Sequence, residues 1–322
     1  MGDYRRTYLG RRQQWFGLKP AAKSALASPL IHPLLRLATR LPGITTGRLP
    51  APAHLAEVTG RVQALGSPDP DAVAEFVLLR PDRCEIAKEM YWGKGRRPSA
   101  SDAFTLDLMA TRAAGADVFL DIGAYTGVFS LALAAAHPDL RIHAFEMVPA
   151  VADACAANIE RNDASEQITL HRIGVGDPDV VLSVPCGDGG SALPSFYSVD
   201  MEFSAGTEVS CRSLDEFSEQ FEPDDRVLLK VDVEGAENTV FGFGQQLLAA
   251  HRPEILCEVL PARAQPRELE ALLAPHGYAY YLVGDGVLEH RRRIVPDEAF
   301  RDWFFTTAAP AQLAAAGVPV RD

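Results

Sequence analysis

The chain has 322 residues, 47% of them hydrophobic and 23% charged, with a formal net charge of −12, the composition of an ordinary soluble protein with room for one large domain and an appendage. Residues 1–50 hold nine basic side chains against Asp3 alone, a net +8, which leaves residues 51–322 at −20. A body this acidic speaks against nucleic acids and other polyanions as substrates, whereas the basic arm suits a phosphate-bearing partner, an anionic membrane surface, or plain solvation.

In chain order, Pro20, Pro29, Pro33 and Pro42 interrupt any long helix in the arm. Leu34, Leu35, Leu37 and Leu41 are candidates for the core or for an interface between copies of a homo-oligomer. Residues 57–65 and 75–79 read as short strands around the turn-rich stretch Gly66-Ser67-Pro68-Asp69-Pro70, a small accessory element. Residues 92–98 read as a flexible basic loop, after which Ser99 or Ser101 caps a helix running to Ala114. From residue 117 onward strands (118–122, 141–145, 168–173) alternate with helices (128–136, 149–162). This predicts a mostly parallel, doubly wound α/β sheet. Between 177 and 226 the rhythm breaks, with strand-like pieces at 180–184 and 207–211 around Gly187–Ser191; an insertion of that length usually has a purpose. An apolar strand at 226–231, a helical run to Ala250, a strand from Glu254 to Val259, and strands near 278–283 and 303–306 complete the sheet.

The most informative segment is Val118-Phe-Leu-Asp-Ile-Gly-Ala-Tyr-Thr-Gly127, a buried strand that ends in an acid and then in two glycines four apart. Gly123 and Gly127 let backbone approach a ligand closely, and the helix from Val128 points free N–H groups at the same crevice. The next strand stops at Glu146, the position from which doubly wound sheets hydrogen-bond a ribose. Dinucleotide sites use G-x-G-x-x-G to seat a pyrophosphate. Here the pattern is D-x-G-x-x-x-G, and Asp121 would repel phosphates but suit a ligand carrying an amino group. This segment resembles motif I of class I S-adenosylmethionine-dependent methyltransferases.

A second passage narrows the resemblance. Residues 226–237, R-V-L-L-K-V-D-V-E-G-A-E, form an apolar strand ending in three acids around one glycine, with L-D-E-F at 214–217 and R-P-E-I-L-C-E-V at 252–259. Together they closely resemble the FkbM-type methyltransferases, over roughly Val118 to Val259. The chain departs from that family's usual pattern at Tyr125-Thr126 and at Glu146-Met147-Val148-Pro149. The resemblance implies a seven-stranded class I methyltransferase sheet closed by an antiparallel hairpin. Charge and the rhythm of the elements divide the chain into a basic arm at 1–50, the accessory element at 51–98, and the methyltransferase domain at 99–322 with an insertion at 178–225.

The cofactor implied is S-adenosyl-L-methionine. Asp121 and Gly123 are expected at its methionine end, with Ala124, Tyr125, Thr126 and Gly127 in the turn. Glu146 and Met147 are expected at the ribose, and Asp177 at the adenine amino group or, equally, as a turn former. Methyl transfer to a hydroxyl requires alignment and a proton acceptor. Asp232 and Glu234, at the ligand-binding edge of the strand beside motif I, are the first choices, and Glu258 ends the next strand over. Glu237 suits a structural place in the first turn of a helix. His143 and His171 read as core histidines, and His251 as a helix-terminal cation. Asp232, Glu234 and Glu258 are hard oxygen ligands of the kind Mg²⁺ takes, but the resemblance implies no metal.

The function expected is O-methylation of a hydroxyl on a sugar or secondary metabolite. N-methylation, a non-catalytic S-adenosylmethionine-binding module that docks a partner through the arm, and a nicotinamide dehydrogenase are the alternatives. Cys84, Cys155, Cys186, Cys211 and Cys257 show no paired spacing and read as buried free thiols of a reducing compartment. No apolar run reaches the roughly 20 residues of a membrane span, and no secretory signal is evident. The Arg-rich start faintly resembles a transit peptide but shares the whole chain's preference for arginine over lysine, 26 to 5. The expected location is cytoplasmic.

Overall fold

A computed structural model describes residues 25–38, 49–67, 72–185, 206–261 and 263–321; most of the basic arm, Leu41, Cys186 and the Gly187–Ser191 stretch lie outside them. In chain order the strands are β1 (Glu57–Val62), β2 (Ala74–Leu79), β3 (Val118–Ile122), β4 (Arg141–Phe145), β5 (Ile168–His171), β6 (Gly174–Val175) and β7 (Val181–Pro185). They continue as β8 (Gly206–Arg212), β9 (Val227–Val231), β10 (Glu254–Glu258), β11 (Ala279–Val283), β12 (Leu288–Arg291), β13 (Asp302–Thr306) and β14 (Val320–Arg321).

One nine-stranded sheet runs β14-β12-β11-β13-β10-β9-β3-β4-β5. Strands β5, β4, β3, β9 and β10 are parallel neighbours. β13 lies antiparallel between β10 and β11. This inner set of seven is the doubly wound class I methyltransferase arrangement. The sheet then goes beyond the expected seven strands: β12 folds back on β11, and β14 adds parallel to β12. The chain leaves β3 toward β4 and β5, then returns to the other side of β3 with β9, so the strand order reverses between β3 and β9. That reversal opens a crevice at the carboxyl ends of the strands.

The central strands β3 (VFLDI) and β9 (VLLKV) are buried along their whole length, as strands covered on both faces must be. Their side chains alternate between two cores. Phe119, Leu228, Leu256 and Phe304 join the cluster under the helices Ala100–Ala113 and Val128–Ala136. Val118, Leu120, Leu229, Ile255 and Trp303 face Phe217, Val240, Leu248 and Leu269 on the opposite side. The same period of two carries Asp121, Lys230, Glu258 and Asp302 onto the first face; each is separated by an even number of residues from a strand-mate in that cluster.

β1 and β2 form a separate antiparallel pair, whose Val62, Phe76 and Leu78 join the first cluster. The helix Glu85–Trp92 follows; the sequence pattern missed it because its stretch of apolar residues is short. The connection at 92–98, expected to be flexible, is tied down. Gly95 donates to Met90 O and accepts from Arg61 N–H, both at 2.7 Å. Arg96 pairs with Asp107, and Arg97 lies 2.6 Å from Glu89 and 2.7 Å from Asp102. Ser99 caps the following helix by accepting from Asp102 N–H. β7 and β8, from the expected insertion, make a three-stranded sheet with β6 just before it. Leu34 and Leu37 are exposed. No helix among the described residues is long and apolar enough to cross a membrane.

Candidate functional site

A cleft of about 620 Å³ opens at the crevice between β3 and β9. Of the residues expected at the site, Gly123, Ala124, Tyr125, Glu146, Met147, Asp232, Glu234 and Glu258 line it. The turn after β3 is held from two sides. Gly123 (φ 76°) and Ala124 donate to Phe145 O at 3.0 and 2.9 Å. A Cβ at Gly123 would fall on the Asp232 carbonyl oxygen, so only glycine lets the motif I turn lie against the end of β9. Tyr125, left-handed at φ 53°, gives its N–H to Glu146 Oε2 at 3.0 Å, and Val148 N–H binds Oε1 at 2.8 Å. The Glu146 carboxyl is thus locked in one orientation with lone pairs left for the cleft. Burial pushes its pKa up to about 7 in spite of these two donors.

Four expected cofactor contacts do not line the cleft. Asp121 is fully buried; its Oδ2 accepts from Ser130 N–H and Oγ at 3.2 and 2.7 Å, where a carboxylate suits the helix N-terminus. Its Oδ1 faces Lys230 Nζ at 3.5 Å. Strand alternation turns Asp121 under the turn, so that it does not line the cleft. Thr126 packs behind it, 3.3 Å from Cys84 Sγ, and Gly127 (φ 84°) is the N-cap of Val128–Ala136. Asp177 accepts from Asp179 N–H at 3.0 Å, the bond of a turn former.

Lys230, Phe129, Asp302 and Arg301 line the cleft as well and were not singled out from the sequence. Asp121 and Lys230 are register partners across β3 and β9, and Glu258 and Asp302 across β10 and β13. Reading period-two alternation through the strand ends would have grouped them. Lys230 Nζ donates to Gly123 O at 3.1 Å, lies 3.3 Å from Asp232 Oδ2, and sits 5.4 Å over the Phe129 ring. Burial alone would depress its pKa, but Asp232 and Asp121 outweigh burial and hold it above the usual lysine value. The ammonium stays charged.

Around Asp232 the other acids are driven toward their neutral forms. Glu258 is raised well above the carboxylate range, by burial first and then by Asp232 and Asp302, and it shares a hydrogen bond with Asp232. Asp302, an acceptor from Thr105 Oγ1 at 3.2 Å, is raised to about 6 by burial and then by Asp232. Glu234, left-handed at φ 56°, is raised by burial and then by Asp232; Arg263 donates to its backbone oxygen at 2.6 Å. Glu237 does not reach the cleft: it accepts from Gly235 N–H at 2.8 Å, and burial lifts it to about 7.

His143 and His171 lie elsewhere, their ring nitrogens 3.0 Å apart, with His171 stacked on Phe145. Burial lowers both, and His171 falls to about 4. His251 is tied to Asp225 O at 3.1 Å. Among the described residues no group of three or more His, Cys, Asp or Glu side chains is placed to hold a metal ion. Cys84, Cys155, Cys211 and Cys257 are free and buried.

The fold and cleft define a doubly wound protein of the class I methyltransferase type. Residues 121–280 match the methyltransferase FkbM domain, and over that span the chain carries an FkbM methyltransferase domain. No protein of curated function matches the chain. Among solved structures, it is similar to a methyltransferase FkbM from Methylobacillus flagellatus at 14% identity, covering 69% of this chain and 51% of that one, with a TM-score of 0.41. The chain therefore spans about half the length of that relative. It is also similar to the O-methyltransferase TomG from Streptomyces achromogenes at 13% identity, covering 70% of this chain and 88% of that one, TM-score 0.38. An O-methyltransferase from Bacillus cereus is 13% identical over 63% of this chain and 78% of that one, TM-score 0.34.

Proposed function

We propose that the chain binds S-adenosyl-L-methionine in the cleft and transfers its methyl group to a hydroxyl of a small molecule, a sugar or secondary metabolite. The observation that carries this reading is the polarity of the cleft. At one end stands the buried, oriented Glu146 carboxyl beside apolar Met147, Val151, Ile173, Val175 and Leu182; at the other stand Asp232, Glu234 and Glu258. The first end fits a ribose and an adenine ring, the second a hydroxyl that must lose its proton. Asp121 serves the cofactor indirectly, by fixing Ser130 and, through Lys230, the Gly123 turn.

The cofactor, when bound, supplies an electrophilic methyl group. The chain aligns the acceptor and receives its proton. Asp232 is the proposed base. Lys230 Nζ stands 3.3 Å from its Oδ2, while burial and the neighbouring acids raise Glu258 and Glu234 above their ordinary values and so make them poorer candidates for the proton acceptor. Titration calorimetry with S-adenosylhomocysteine and with NAD, followed by mass spectrometry of metabolites incubated with S-adenosylmethionine, tests the reading. Binding of the former and an acceptor methylated on oxygen are expected. Binding of NAD alone would overturn it, methylation on nitrogen would move it to the amine class, and binding without transfer would leave a non-catalytic module.

A further inference from the structure

The short helix His32–Ala38 is docked inside out. A helix on a globular body normally turns its apolar stripe inward. This one buries His32, 3% exposed, stacked on Trp92 at 5.2 Å and edge-on to Tyr91 at 5.5 Å, while Arg36 four residues on lies over the Tyr91 ring at 5.7 Å. The opposite side presents Leu30, Leu34 and Leu37, 86%, 68% and 59% exposed, with Ile31 at 40%. Leu34 and Leu37, three apart on the helix, share one side of it, and Leu30 and Ile31 in the turn just before it extend the exposed apolar patch. Large apolar side chains grouped in this way, rather than scattered singly, mark an interaction surface.

The sequence around the stripe supplies the complementary charge. From Tyr4 to Ala56 there is no acidic residue, while Arg5, Arg6, Arg11, Arg12, Lys19 and Lys23 precede the stripe and Arg36, Arg40 and Arg48 lie within or after it. Trp15, Phe16 and Leu18 add apolar groups to the same arm. Leucines beside lysines and arginines, on a body of net charge −20 that an anionic surface would repel, are the combination with which interfacial helices bind anionic lipid. A nucleic acid would use the charge but not the leucines.

We propose that the helix His32–Ala38 and the turn before it dock this protein onto an anionic membrane surface, with Leu30, Leu34 and Leu37 entering the headgroup region and the net positive charge of the surrounding sequence supplying the attraction to lipid phosphates. The helix Glu85–Trp92 that holds the stripe through Tyr91 and Trp92 also lines the cleft with Glu85 and Ile86. One helix of eight residues thus touches the cleft at its start and the docked segment at its end.

The test is co-sedimentation of the full chain with vesicles of phosphatidylcholine alone and of phosphatidylcholine with phosphatidylglycerol. Binding to the anionic vesicles only, reversed by high salt, is expected. Combined Leu30→Ser, Leu34→Ser and Leu37→Ser changes should weaken it at least about tenfold, since each leucine loses its apolar burial, with thermal unfolding unchanged. Leu34→Glu, a single change at an exposed site, gives the same readout if the triple variant does not fold. Failure to bind either vesicle, or binding unaffected by the leucine changes, overturns the proposal. A dimer that these changes dissociate, without vesicle binding, assigns the stripe to contacts between copies instead.

Discussion

Glu146 makes the proposed cofactor site pH-dependent, in a direction fixed by its burial. In the free protein its pKa stands at about 7, so at pH 6 roughly nine-tenths of the molecules carry a proton there. A ribose held as proposed would donate its hydroxyls to the ionised carboxylate, and charge-assisted hydrogen bonds contribute about 1.5–3 kcal/mol each. At about 1.4 kcal/mol per pKa unit, one such bond pulls the bound-state pKa to about 6 or below. Affinity for S-adenosylhomocysteine should therefore rise with pH up to about 7 and level off above it, with up to about a tenfold gain from pH 6 to 8. Calorimetry in two buffers of different ionisation enthalpy should show proton release near pH 6 and little at pH 8. Glu146→Gln should weaken binding by about 1.5–3 kcal/mol and abolish the slope, the ligand's own titration being common to both proteins. An affinity that is flat across this range, with no proton release at pH 6, would refute the reasoning.

The same burial predicts a pH profile of stability. Glu146 and Glu237 are both lifted to about 7, and Asp302 to about 6; the folded state then holds protons more tightly than the unfolded one. The stability they contribute is present below the ordinary carboxylate range and lost as pH rises through 6 to 7. The Tm of the cofactor-free protein should fall between pH 5 and 7.5, and Glu237→Gln should flatten part of that fall; a Tm rising through this window would contradict the burial argument. Lys230→Met leaves Asp121 buried without its cation and should cost about 3–5 kcal/mol in denaturant unfolding; a loss under about 1 kcal/mol would mean that the pair is incidental. If Asp232 is the base, Asp232→Asn should lower kcat by about 10²- to 10⁴-fold while S-adenosylhomocysteine still binds. Near-native turnover would pass the role to Glu234 or Glu258, to be separated by Glu234→Gln and Glu258→Gln.

Most of the fold was legible because it rests on local signals. Continuous apolar runs marked β3 and β9 as central strands, and Gly123, Gly127 and Ser99 marked turns and caps. What escaped was set by long-range contacts. The two outer strands β12 and β14 have too few residues to show periodicity. The 92–98 loop is held by Glu89, Asp102 and Asp107, whose partnership no local pattern reveals. At the site, motif spacing singled out Glu146 and the acids after β9, which line the cleft, and also Asp121 and Thr126, which do not, because a motif gives the position of a residue but not the direction of its side chain. Lys230 was passed over inside an apolar strand, although alternation from Leu228 places it on the face of Asp121. Asp177 was ambiguous from sequence for a physical reason, since an acid before proline both forms turns and accepts hydrogen bonds.

The central claim is that the crevice between β3 and β9 holds the methyl donor with its reactive end toward Asp232. A co-crystal structure with S-adenosylhomocysteine tests it most directly. The account predicts ribose hydroxyls on Glu146, adenine between Met147 and Val175, and the sulfur facing Asp232 and Glu258. An adenosyl group bound elsewhere, or a sulfur turned away from Asp232, would contradict it.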